Sequence, residues 1–244
     1  MPTIVAIGGG ELKDLETLPI DREIVRLARK KKPRVLFIPT ASGDALGYCE
    51  TFRTVYGKKL RCEVDALLLI REKLSKKMIA EKILSADIIY VGGGNTLRMF
   101  RIWRKYGVDV LLRKAYAKGV VLSGLSAGAV CWFRYSSSDA QRFQKTSKSF
   151  SYTRVSGLHF VSATVSPHHI REKTRDGGLE KIMRKTSGVG LAIDDNAALV
   201  IEGNQYRVIT SVPAAKVRRI FFRRGKAIWE TLSKEGKLSA ILKK

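Results

Sequence analysis

The 244-residue chain is 45% hydrophobic, too apolar for a disordered polymer and long enough to bury the core of one α/β unit. Its 46 Lys and Arg against 22 Asp and Glu give a net charge of +24, which suits a merely solvated basic surface, acidic small substrates or a polyanion; the cations are spread along the chain, not gathered in a tail. No apolar run approaches the ~18–20 residues of a membrane span, and Cys49, Cys62 and Cys131 have no metal-like spacing, so a cytoplasmic protein without a disulfide framework or structural zinc is expected.

In chain order, Thr3–Ile7 reads as a first strand, with no secretory leader before it. Further strands are expected at Arg34–Pro39, Val64–Leu69, Ile88–Val91, Val120–Ser123, Leu158–Val165 and Ala197–Ile201. Several are continuous apolar runs, as in strands buried on both faces of a parallel sheet. Between them, helices are expected at Leu18–Lys31, Leu74–Leu84, Leu97–Tyr106, Val108–Lys118 and Ala127–Arg134, with another over 179–186. This alternation predicts an α/β fold, with a doubly wound, mostly parallel sheet and helices on both faces. Tyr206–Thr210 and Arg218–Phe222 follow as shorter strands, a short antiparallel C-terminal extension of one domain spanning 1–244. The stretch Trp229–Lys244 is expected as a terminal helix or a loose basic tail.

The sharpest signal is Val120-Val121-Leu122-Ser123-Gly124-Leu125-Ser126-Ala127-Gly128, an apolar strand entering Gly-x-Ser-x-Gly before a helix. In such a turn only small residues fit around the serine, whose hydroxyl is thrust out beside a helix N-terminus. Ser126 is the candidate nucleophile, and the Ala127 N–H a candidate oxyanion donor. The competing reading is a serine that merely caps a helix. A second strand-to-helix junction, Gly92-Gly93-Gly94-Asn95-Thr96, lacks the Lys of a phosphate loop and could supply another N–H at the same sheet edge. Gly8-Gly9-Gly10 and the turn at Pro39–Gly43 also follow strands; for the first, turn chemistry is the simpler reading.

A serine nucleophile needs a base. His168 and His169 follow Pro167 at a strand end, whereas His159 falls inside the expected strand. The base needs an acid to orient it, for which Asp194, Asp195 and Asp139 are all candidates.

Together, Gly-Gly-Gly-Asn-Thr at 92–96, Gly-Leu-Ser-Ala-Gly-Ala at 124–129, Cys-Trp-Phe at 131–133, Pro-His at 167–168 and Ile-Asp-Asp at 193–195 resemble the peptidase E / cyanophycinase family of serine peptidases. The resemblance spans Thr3 to about residue 225. It implies a fold similar to class I glutamine amidotransferases and a Ser-His-acid triad of Ser126, His168 and Asp195, at a place where the family usually has Glu. Asp139 matches a second acidic position, and Gly93 or Gly94 would join Ala127 in the oxyanion hole. Gly93, Asn95 and Arg171 are the candidate substrate contacts. The implied activity is hydrolysis of short peptides, dipeptides with an N-terminal aspartyl residue first among them, without metal or organic cofactor. Activity should then rise with pH as the base loses its proton. Arg134 stands where many relatives are acidic, which bears on substrate preference and not on the chemistry. Two alternatives are cleavage of Asp–Arg peptides, as by cyanophycinases, and a non-catalytic binder of nucleic acid or another polyanion on the same scaffold, although no nucleic-acid-binding motif is visible.

Overall fold

Strand β1 (Thr3–Ile7) is buried along its whole length, near the middle of the first of two sheets. After it come α1 (Leu18–Leu27), β2 (Arg34–Ile38), α2 (Leu46–Phe52), β3 (Glu63–Ala66), α3 (Lys76–Ser85), β4 (Ile88–Val91), α4 (Thr96–Tyr106), α5 (Val108–Ala117) and β5 (Val121–Leu125). The computed structural model describes residues 1–139 and 151–244. The strands β1, β5, β4, β2 and β3 lie side by side and parallel, so their C-terminal ends open on one edge.

The helices follow from their apolar spacing. In α1, Ile20, Ile24 and Leu27 recur at helical intervals and are buried, and a proline opens the first turn. In α4, Asn95 caps the N-terminus by accepting the Arg98 N–H at 2.9 Å, and Met99, Phe100 and Trp103 turn inward. Among the described residues no helix is long and apolar enough to cross a membrane.

The second half begins with the short α6 (Ala127–Val130) and continues through β6 (Phe133–Ser138), β7 (Thr153–Ser156), β8 (Val161–Ser166), α7 (Arg175–Arg184), β9 (Gly190–Ile193), β10 (Ala197–Glu202), β11 (Gln205–Thr210), β12 (Val217–Arg223), β13 (Lys226–Thr231), β14 (Glu235–Lys237) and α8 (Leu238–Ile241). Strands β10, β11 and β14 extend the first sheet antiparallel beyond β1. The others form a second sheet in the order β13-β12-β9-β8-β6-β7, parallel across β6, β8 and β9. The expected α/β class holds, and one hydrophobic cluster joins the sheets, with Ile4 and Leu122 of the first sharing it with Phe133, Val165 and Leu191 of the second.

Several local expectations change, three of them in the second half of the chain. The helix expected over Ala127–Arg134 stops at Val130, and from Phe133 the chain is the strand β6, paired with β7 and β8. A short apolar run does not itself distinguish a buried helix turn from a buried strand, and here pairing decides. The strand expected from Leu158 starts at Val161, which leaves His159 in the preceding turn at φ +59°. The segment 229–244 is neither a helix throughout nor a loose tail: Trp229 and Ile228 pair with β12 across the Arg224-Gly225 turn, whose two positive φ angles suit a hairpin. The strand β14 and α8 complete it.

Candidate active site

β5 delivers Ser126 to the sheet edge in a backbone conformation few side chains adopt, φ +55° and ψ −113°. The chain can turn so sharply because its flanks lack side chains. A Cβ on Gly124 would stand 2.5 Å from the Gly128 carbonyl oxygen, and one on Gly128 would overlap the Val91 carbonyl of the neighbouring strand. The Ser126 N–H donates to Ile7 O at 3.0 Å, and its carbonyl accepts from Ala129 and Val130, so the serine is bound to β1 behind it and α6 ahead. Ala127 opens that helix, where an N–H has no intrahelical acceptor.

His168 comes from the other sheet, just beyond β8 and Pro167, and is also held at positive φ, +62°. Its Nε2 lies 2.8 Å from Ser126 Oγ and its Nδ1 lies 2.7 Å from Asp195 Oδ1. Asp195 is 1% exposed. Burial alone would raise its carboxyl, but the hydrogen bond and charge of His168, with the Arg171 N–H at 3.2 Å and its guanidinium, hold it below the ordinary carboxylate range. An ionised Asp195 accepts the Nδ1 proton, which leaves Nε2 as an acceptor for the serine hydroxyl.

The other acids and histidines lie elsewhere. Asp194 turns away from the imidazole, accepts the Lys216 N–H at 3.0 Å, and is raised by burial. Asp139 pairs with the buried Arg175 at 2.8 Å and not with His168. His169 is buried against Asp176, 2.6 Å from Nδ1 to Oδ1, and Arg218 grips the same carboxylate with both nitrogens at 2.7 and 2.9 Å. His159 is exposed and contacts Ser162.

The two glycine runs differ from their sequence reading. Gly93 lies beside Ser126: a Cβ there would be 3.4 Å from Ser126 Cβ. At Gly94, at φ +134°, a Cβ would overlap the Ala41 carbonyl oxygen. Asn95 spends its side-chain oxygen on the α4 cap. The run Gly8-Gly9-Gly10 is more than a turn, because a Cβ on Gly9 would overlap the Asp195 carboxylate and sit 2.5 Å from His168 Nδ1. The Asn196 N–H donates to Gly9 O at 2.9 Å and locks the two loops together.

Ser126 and His168 open on a cavity of about 310 Å³, whose walls also include Gly93, Tyr48, Lys13 and Arg171. Tyr48 carries no sequence signal. Its ring edge lies against Gly92, and burial pushes its phenol up to about 12, so it stays protonated. Arg171 reaches the cavity but is already engaged, 2.6 Å from Glu16. Arg175, four residues on, is buried in ion pairs and does not face the cavity. Arg134 is exposed and stacks 5.0 Å over Tyr135.

The family profile described as Peptidase family S51 matches residues 4–209. The chain is 33% identical over 223 residues to the uncharacterized peptidase YgaJ of Bacillus subtilis (strain 168), covering 90% of this chain and 92% of that protein. It is 30% identical over 177 residues to the uncharacterized peptidase Lmo0363 of Listeria monocytogenes, 70% of this chain and 83% of that one. In fold it is similar to a crystal structure of a peptidase from an acI-B1 Actinobacterium, with TM-score 0.72 and 20% identity over 97% of each chain. It is also similar to a putative peptidase E protein from Listeria monocytogenes EGD-e, with TM-score 0.63 and 23% identity over 96% of this chain and 100% of that one.

Proposed function

The chain belongs to peptidase family S51 and is a serine-type peptidase, and from that premise we propose that it cleaves short peptides, those with an N-terminal aspartyl residue first, through Ser126, His168 and Asp195. The observation that carries this reading is the single imidazole bridging a serine hydroxyl and an ionised, buried carboxylate at 2.8 and 2.7 Å. In this reading Ser126 Oγ attacks the scissile carbonyl while His168 Nε2 takes its proton. The negative charge on the carbonyl oxygen is met by the Ala127 N–H and an N–H of the Gly93-Gly94 turn; such a donor is worth about 10²–10³ in rate. The imidazolium, stabilised by Asp195, then protonates the leaving amine, and the acyl group stays on Ser126 until water, deprotonated by the same imidazole, releases it. An acidic first side chain is supported by Lys13 on the cavity wall; Arg171, on the same wall, is already paired with Glu16.

The test is labelling by a serine-directed fluorophosphonate of the parent, Ser126→Ala and His168→Ala, beside a panel of aminoacyl p-nitroanilides. Labelling of the parent alone, with the aspartyl compound cut fastest, is expected. A folded parent that does not label would overturn the nucleophile assignment, and equal cleavage across the panel would overturn the aspartyl preference.

A further inference from the structure

Glu11 follows directly on the glycine run that supports His168 and Asp195, and it lines the cavity that holds Ser126. Its main chain is fixed. Its N–H donates to Glu16 Oε2 at 2.7 Å, and its carbonyl accepts from Asp14 and Glu16 at 3.2 Å each. The residue before it, Gly10 at φ +129°, has no room for a side chain against Thr17. One Glu16 oxygen is already spent, because the Oε2 that takes the Glu11 N–H also takes Arg171 Nη2 at 2.6 Å. The Glu11 carboxylate is different. It is 54% exposed, and its one ion contact among the described residues is Arg171 Nη1 at 3.7 Å, well beyond the ~2.7–2.9 Å of a charge-assisted hydrogen bond. A rigid backbone thus holds an anion with unspent acceptor capacity at the rim of the cavity.

In a peptide, an amino nitrogen lies close to a scissile carbonyl only in the first residue, where about 2.5 Å separates the α-nitrogen from the carbonyl carbon. A cavity of about 310 Å³ is at the small end for ligand sites and has room for a residue or two. The geometry points to Glu11 as the site that takes the free α-ammonium of the substrate's first residue, confining cleavage to the first peptide bond. This rests on Ser126 being the nucleophile. Lys13, two residues on at the same rim, is left to meet a carboxylate of the same substrate.

The test compares the aminoacyl p-nitroanilide that the parent cuts fastest with its N-acetyl form, in the parent, Glu11→Gln and Glu11→Asp. The parent should strongly prefer the free amine. Glu11→Gln should lose about 10- to 100-fold in kcat/KM on the free amine, mostly through KM, the worth of a hydrogen bond to a charged group. It should lose nothing comparable on the acetylated compound, so the ratio between the two collapses, and Glu11→Asp should recover part of it. An unchanged ratio in a Glu11→Gln protein that still takes the fluorophosphonate overturns the ammonium site alone. A parent that cuts both forms equally does the same. A parent that never labels overturns the Ser126 reading, and this inference with it.

Discussion

Gly9 lies so close under Asp195 that any Cβ there would overlap the carboxylate, and the same Cβ would stand 2.5 Å from Nδ1 of His168. The His168–Asp195 contact therefore depends on an absent side chain at the end of β1. Gly9→Ala must push the carboxylate or the imidazole off its line, and displacements of about 1 Å cost on the order of 10²-fold in positioned chemistry. The expected result is a variant whose fluorophosphonate labelling slows by about that factor. Labelling at the parental rate would mean that the pair tolerates the shift.

Three aspartates were candidates for orienting the imidazole, and their surroundings separate them. Asp195→Asn should lower activity by about 10⁴-fold, since a neutral amide neither holds the required tautomer nor stabilises the imidazolium. Asp194→Asn, which keeps an oxygen to accept the Lys216 N–H and loses only a charge, and Asp139→Asn, which loosens Arg175, should act mainly on stability. Rates of probe labelling measured well below each variant's unfolding temperature check the ranking; a loss in Asp139→Asn equal to that of Asp195→Asn would refute it.

How much of this was legible in the sequence depends on the range of the contact. Ser126 stands out because its tight turn demands glycine at 124 and 128, a local constraint written into five consecutive residues. The parallel strands were visible as apolar runs, β4 and β1 to the residue. The role of Gly9 was not visible, because the atoms that forbid a side chain there belong to residues 168 and 195. Tyr48 and Glu11 are single residues on a short helix and a loop, with no period or spacing to mark them. The second sheet was hidden for a related reason: an apolar strand such as Leu191–Ile193 reads the same in either sheet, and only pairing with β8 and β12 assigns it.

Two buried groups give stability an unusual dependence on pH. Burial raises the Asp21 carboxyl from 3.8 to about 6, against hydrogen bonds from Tyr56 and Thr17. Its contribution is fully present below the unfolded value and is lost as pH rises through about 6. Burial lowers His169 from 6.5 to about 4, despite Asp176. Its contribution is present above pH 6.5 and is lost as pH falls through about 4. The two slopes oppose each other over nearly the same interval. Asp21→Asn should remove one of them, so that between pH 4 and 6 the variant gains on the parent by about 1.4 kcal/mol per pH unit, on the order of 3 kcal/mol in all. Denaturant titrations at pH 4.5, 5.5 and 7 would measure the difference, and a difference independent of pH would refute the argument.

Among the described residues Arg175 is the largest charged side chain in the interior, 1% exposed, and it ties the end of β6 to the loop that carries His168. Its Nε donates to Glu172 at 2.7 Å, its Nη2 to Asp139 at 2.8 Å, and its guanidinium lies 4.7 Å over the Tyr152 ring. The Glu172 N–H in turn donates to the His168 carbonyl at 3.0 Å, so the fork braces the residue held at positive φ. Removing the buried guanidinium should cost about 1.5–3 kcal/mol, the worth of hydrogen bonds to charged groups, less than for a fully buried pair because the two carboxylates are 25% and 23% exposed. For a chain of this size that is a fall in Tm of at least about 3 °C in Arg175→Met. Arg175→Lys keeps the charge but not the fork, since one ammonium on a flexible stem cannot reproduce the planar pair of contacts, and should recover only part of the loss. If the brace also positions His168, both variants should label more slowly than the parent at temperatures where all are folded, and Lys less so than Met. Thermal unfolding with parental Tm in Arg175→Met would show that the two carboxylates find other compensation.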